Sequence, residues 1–138
     1  MGHDEFVDLK ISNAMAVPLA IENAELDHGK FYVNEDMDME LAPEEITETV
    51  IPTRASANIC SCGEKDSLLG TEGSLDLVDQ SSGAQICTLN WGCHSYDEEE
   101  DNMLSLTNRN SDYLVRLPQN ISRKGSLGTL DIRIGKMS

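Results

Sequence analysis

Apolar and polar residues alternate with a period of two along most of this chain. In FVDLKIS, starting at Phe6, the side chains of Val7, Leu9 and Ile11 share one face, while Asp8 and Lys10 share the other. VPLAIENA repeats the pattern with Val17, Leu19 and Ile21. DMDMELA puts Met37, Met39 and Leu41 opposite Asp36, Asp38 and Glu40. Successive strand residues point to opposite faces, so each run predicts a β-strand. KFYV, ITETVI, ANICSC, SLDLVD, QICTLNWGC, MLSLT, YLVRL and TLDIRI extend the series, with turn signals such as HG, IPT, QSSG, NRNSD and KGSLG between them. No segment offers the dozen or so helical residues that a parallel crossover needs. The prediction is all-β: about ten or eleven strands forming a single-domain sandwich of two mainly antiparallel sheets over residues 1–138.

Composition changes this picture in two places. Aromatics make up 4% of the 138 residues, so the core must be built mainly from Leu, Ile, Val, Met and Ala. The net charge of −15 excludes nucleic acid as a partner, because phosphate binding needs clustered Lys and Arg. The start, MGHDEFVDLKIS, lacks the basic and apolar regions of a signal peptide, and no apolar run approaches ~20 residues. The expectation is a soluble protein, made in the cytoplasm and acting after release.

Candidate chemistry is sparse. Cys60 and Cys62 share a face of their strand, as do Cys87, Leu89, Trp91 and Cys93, so all four thiols are expected to point into one core. Three readings stay open for them: buried free thiols, disulfides between the two pairs, or a four-thiolate zinc site. The C-x-C and C-x₅-C spacings fit the last poorly. Trp91 either completes the core face or stands exposed as an anchor beside Tyr96. The acids Asp97, Glu98, Glu99, Glu100 and Asp101 repel one another, which predicts an open, solvated loop without EF-hand spacing. His3, His28 and His94 read as isolated. Cys93 and His94 are sequence neighbours and so face opposite ways on a strand, which argues against a thiol–imidazole pair. Asp76 and Asp79 read as ordinary strand-end acids, and Asn120-Ile-Ser122 matches a glycosylation sequon. No enzymatic motif is present, and no cofactor, metal or catalytic residue is expected.

Three segments together resemble a known family. GTEGSLDLVDQSSG at 70–83, NWGC at 90–93 and GSLGTLDI at 125–132 look like aegerolysins, where a G-T-x-G-x-[FL]-D-L-V-D stretch precedes W-[DG]-C and a late G-[AS]-L-G-T. Weaker matches are Phe6-Val7, His28-Gly29-Lys30 for the family's W-G-K, and Cys62-Gly63. The resemblance implies an actinoporin-like β-sandwich that binds a membrane lipid or receptor. It also implies a larger partner with a membrane-attack-complex/perforin domain, which forms the pore; self-association stays open. Few aromatics and four cysteines are closer to bacterial members, some of which are halves of binary insecticidal toxins, than to mushroom ones.

The departures bear on the ligand. The mushroom proteins carry several tryptophans that contribute to lipid binding, and a Lys in the loop after W-x-C. Here His28 replaces one Trp, Ser95-Tyr96 occupies the region of another, and Asp97 to Asp101 stand where neutral or basic residues would be. The candidate lipid-, receptor- or partner-binding residues are therefore Trp91, His94, Tyr96, Asp97, Glu98, Glu99, Glu100, Asp101 and His28. A stand-alone lipid- or carbohydrate-binding sandwich is the alternative reading.

Overall fold

The computed structural model describes residues 5–64, 70–94 and 99–137. The chain runs through β1 (Phe6–Asn13), β2 (Leu19–His28), β3 (Lys30–Val33), β4 (Asp36–Leu41), α1 (Pro43–Thr47) and β5 (Val50–Ile51). It continues through β6 (Ser56–Cys62), β7 (Thr71–Asp79), β8 (Gln85–Cys93), β9 (Met103–Thr107), β10 (Tyr113–Arg116) and β11 (Gly128–Lys136). A six-stranded sheet has the order β10-β11-β1-β6-β3-β4, and a five-stranded sheet the order β5-β2-β7-β8-β9. All pairings are antiparallel except β1 with β11, which run parallel from Val7↔Gly128 to Asn13↔Ile134.

The predicted alternation builds the core. Val7, Leu9 and Ile11 of β1, Ile59 of β6 and Leu130, Ile132 and Ile134 of β11 face inward from one sheet. Ile21, Leu75, Leu77, Leu89 and Trp91 meet them from the other. Each fully buried aliphatic side chain contributes about 1.5–3 kcal/mol relative to its exposed state.

Three expectations are corrected. ITETVI is not one strand: Pro43 opens a single helical turn, where its missing N–H costs nothing. The Glu45 carboxylate accepts the Ala42 N–H at 2.7 Å and Ile46 buries in the core, so only Val50–Ile51 pair as a strand. In β4, Met37, Met39 and Leu41 do not share one environment. A register break opposite Tyr32 and Val33 switches the phase, so Leu41 packs on the core, Met37 packs on the outer face and Met39 is 57% exposed. The thiols also divide. Cys87 and Cys93 lie in the core, whereas Cys60 and Cys62 lie beside Tyr32 on the other side of the six-stranded sheet. The reason is the phase of β6, set by Ile59, which pairs in register with Leu9 and takes the inward position. All four cysteines are free and buried. A disulfide or a shared zinc ion between the two pairs would have to pass through a sheet, which disulfide geometry forbids.

Candidate functional site

The site grows from the β7–β8 hairpin. Trp91 is 0% exposed, so it is a core residue and no surface anchor in this structure. Its ring meets Phe31 edge-on at 6.0 Å and 64°, and its Nε1 donates to Thr71 Oγ1 at 3.4 Å. Glycines make this fit possible. A Cβ on Gly73 would stand 2.8 Å from Trp91 Cζ2 and 2.5 Å from the Glu25 carbonyl oxygen. One on Gly70 would strike the Cys93 carbonyl at 1.9 Å. The G-T-x-G spacing is thus a packing device around Trp91 and Cys93.

Beyond Cys93 the strand turns outward at His94, which is 5% exposed. Thiol and imidazole diverge as alternation requires: Cys93 Sγ lies 3.1 Å from the Gly125 carbonyl in the interior. The His94 N–H donates to Asn102 Oδ1 at 2.5 Å, and the His94 carbonyl accepts from Gly125 N–H at 2.7 Å. Asn102 Nδ2 in turn donates to the Ser122 and Gly125 carbonyls, both at 3.0 Å. The segment around residues 122–125 therefore braces the residues on both sides of the acidic run.

Within that run the acids have different jobs. Asp101 accepts from Arg123 Nη2 at 3.1 Å and lies 3.6 Å from Lys124 Nζ. Lys124 Nζ also donates to the Glu100 carbonyl. These exposed ion pairs are worth about 0–1 kcal/mol each, so they orient the loop more than they stabilise it. The Glu100 carboxylate points instead to His94, its Oε2 3.8 Å from Nε2. Glu99 is exposed. Tyr96, Asp97 and Glu98 lie outside the described residues.

Sequence reasoning missed Glu72. It sits on β7, register-paired with Gly92 on one side and with His28 on the other, while Gly92 pairs with Met103. His28, Glu72, Gly92 and Met103 thus form one row across the outer face of the five-stranded sheet. Glu72 Oε2 lies 4.0 Å from His94 Nε2. A Cβ on Gly92 would come within 3.0 Å of the same nitrogen, so glycine gives the imidazole room here. His94 is therefore not isolated: two carboxylates approach it, one from the neighbouring strand and one from the loop. His28 is exposed, and Met103 is 42% exposed at the end of the row.

Two further polar sites were not legible as such. On the outer face of the six-stranded sheet a shallow cleft is lined by Phe6, Asp8, Tyr32, Asn34, Glu35 and Met37. Beneath it, burial and then the Asp8 carboxylate push the Cys60 thiol up to about 12. Burial raises Cys62 to about 11 against the pull of Lys30, and it raises the Tyr32 hydroxyl as well. At the far end of the fold, Asp79 is fully buried rather than a solvated strand-end acid. Burial alone would push its carboxyl up. Hydrogen bonds from Ser81 Oγ and Tyr113 Oη, both at 2.7 Å, with help from Lys136 Nζ at 3.4 Å, overcome this and hold it well below the usual carboxylate range.

Two packed sheets with this strand order, closed by paired terminal strands and carrying a braced loop after β8, define an all-β sandwich of the aegerolysin type. RahU, solved in complex with a TRIS molecule, has the same fold: TM-score 0.89 and 25% identity, covering 99% of this chain and 98% of that one. IP-1A from Alcaligenes faecalis matches with a TM-score of 0.86 and 29% identity over 99% of this chain and 94% of its own. In sequence, Asp-hemolysin of Aspergillus fumigatus is 31% identical over 136 residues, 98% of this chain and 95% of the relative. The aegerolysin family pattern matches residues 4–137, and the chain belongs to the aegerolysin family, whose members bind membrane lipids and are linked to cytolysis.

Proposed function

We propose that this protein is the recognition half of a two-component pore-forming, insecticidal system. It holds a target-membrane lipid or receptor at its His94 end and presents a second surface to a membrane-attack-complex/perforin-domain partner, which penetrates the bilayer. No enzymatic step is assigned to it. The observation that carries this reading is the contrast at the end of β8. The large aromatic is locked in the core, while Met103, Glu99 and Glu100 are presented from braced backbone. Such an end suits surface contact, since it holds its large apolar side chain inside. Among the described residues, no helix is long and apolar enough to cross a membrane.

The second surface lies at the other end of β1, roughly 20 Å away at the rise of a strand. There Lys10, Ser12, Asn13, Arg54, Ser56 and Arg133 line a groove. A basic groove on a chain of net charge −15 separates the signs along the molecule, which orients it between two different surfaces. The test is co-sedimentation and dye release with susceptible cells and liposomes. The protein alone should bind without leakage, and leakage should appear when a perforin-domain protein is added. Full release by this protein alone overturns the proposal.

A second reading, a stand-alone lipid- or carbohydrate-binding module, is favoured by the cleft of Phe6, Tyr32 and Met37 rimmed by Asp8 and Glu35. Aromatic and acidic groups together suit a cationic headgroup or sugar hydroxyls. Tight binding on a lipid or glycan array, with biological activity that needs no second protein, would select it.

A further inference from the structure

We propose that Glu72, His94 and Glu100 form a binding site for a divalent transition-metal ion, zinc by the chemistry of its donors. Their three ligand atoms lie within 4.8 Å of one another, with His94 Nε2 at 3.8 Å from Glu100 Oε2 and 4.0 Å from Glu72 Oε2. Both separations exceed a hydrogen bond, and an ion between them would draw the three groups together. Zinc holds imidazole nitrogen and carboxylate oxygen at about 2.0–2.2 Å, which places tetrahedral ligands about 3.4 Å apart. Closing the set takes about an ångström of movement. The carboxylates supply it, since the Glu100 side chain is 77% exposed and the Glu72 side chain 36% exposed.

The imidazole is the fixed member. It is 7% exposed, the His94 backbone is held on both sides by Asn102 and Gly125, and Gly92 leaves room for Nε2. A rigid buried imidazole facing two adjustable carboxylates is the donor set of a three-ligand zinc site. Calcium and magnesium are disfavoured, because they take oxygen ligands and the central donor here is nitrogen. Two cations pair with the next acid in the run. Arg123 pairs with Asp101, and Lys124 reaches Asp101 and the Glu100 backbone carbonyl.

The site is independent of the proposed function, since its test reads metal and not leakage. Untagged full-length protein should take up one Zn²⁺ per chain in equilibrium dialysis with elemental analysis, and Ca²⁺ should not compete. Glu72→Gln and Glu100→Gln, both at accessible side chains, should abolish stoichiometric uptake with circular dichroism unchanged, as should His94→Gln. Asp101→Asn, which alters the same acidic run but not the ligand set, should retain it. Co²⁺ should give visible d–d bands without a thiolate charge-transfer band. No stoichiometric uptake, uptake unchanged in both Glu variants, or a thiolate band reporting binding at cysteine would each overturn the proposal.

Discussion

Asn102 Oδ1 accepts the backbone N–H of His94 at 2.5 Å, joining two residues that flank the acidic run in sequence. The same side chain donates to the carbonyls of Ser122 and Gly125. One buried amide therefore ties three segments together at the end of the sandwich. Asn102→Ala leaves a buried donor and acceptors without it, at a cost of about 2–3 kcal/mol. Thermal unfolding should shift down by roughly 5–10 °C, while Trp91 fluorescence keeps its buried maximum. An unchanged melting curve would show that the brace is not structural.

Asp79 predicts an acid-side loss of stability. Burial disfavours its charge, but Ser81, Tyr113 and Lys136 hold the folded carboxyl below the unfolded value of about 3.9. The ionised form is thus the one the fold stabilises. Its contribution is complete at neutral pH and fades as pH falls from about 5. Asp79→Asn should lower the urea midpoint at pH 7, and the gap to the parent protein should narrow toward pH 3. A gap independent of pH would rule out the assigned charge state.

The thiols predict the opposite slope at high pH. Burial raises Cys60 to about 12 and Cys62 and Cys87 to about 11, above the unfolded value of about 8.5. The folded chain keeps protons that the unfolded chain releases, so stability falls as pH rises through that window. A thiol reagent at pH 8 should react slowly with the native protein and with all four cysteines after denaturation. Intact mass should not change on reduction. Fast native labelling at Cys60 or Cys62 would contradict their burial.

Trp91 and Gly73 should report stability rather than binding. Trp91→Phe loses part of the edge contact with Phe31 and the bond to Thr71, at about 1–3 kcal/mol. Gly73→Ala forces a Cβ against the Glu25 carbonyl and the indole, for a similar cost by overpacking. Denaturation midpoints should fall in both, while membrane association per folded molecule stays constant. Lost association in a fully stable Trp91→Phe protein would return this residue to the binding surface.

Much of the fold was legible because Val7, Leu9, Ile11, Leu75, Leu77 and Leu89 alternate cleanly against polar neighbours, and burial follows that alternation. Where both phases are apolar, as at Ile59 and Cys60, period alone cannot choose. The neighbouring strand decides, through Leu9 opposite Ile59. The short helix hid in ITETVI because Ile46 and Ile51 are both buried whether the chain coils or extends. The Pro-Glu-Glu before it was the usable signal. His94 and Glu100 were recognised as candidates, but Glu72 was not. Its nearness to them depends on the pairing of β7 with β8, twenty residues away in sequence, and on a glycine that clears the space. Asp79 looked like any acid beside a turn, because its partners Tyr113 and Lys136 arrive from the last two strands.

The parallel pairing of β1 with β11 sets the order of assembly. β1 is synthesised long before β11 and must wait for it before the six-stranded sheet can close, while β6, its other partner among the described residues, comes earlier. Closing so long a loop is slow, and until then one edge of β1 remains open to any other strand. Synthesis at high local concentration should therefore favour intermolecular pairing at that edge, and slower expression at lower temperature should recover more monomeric material.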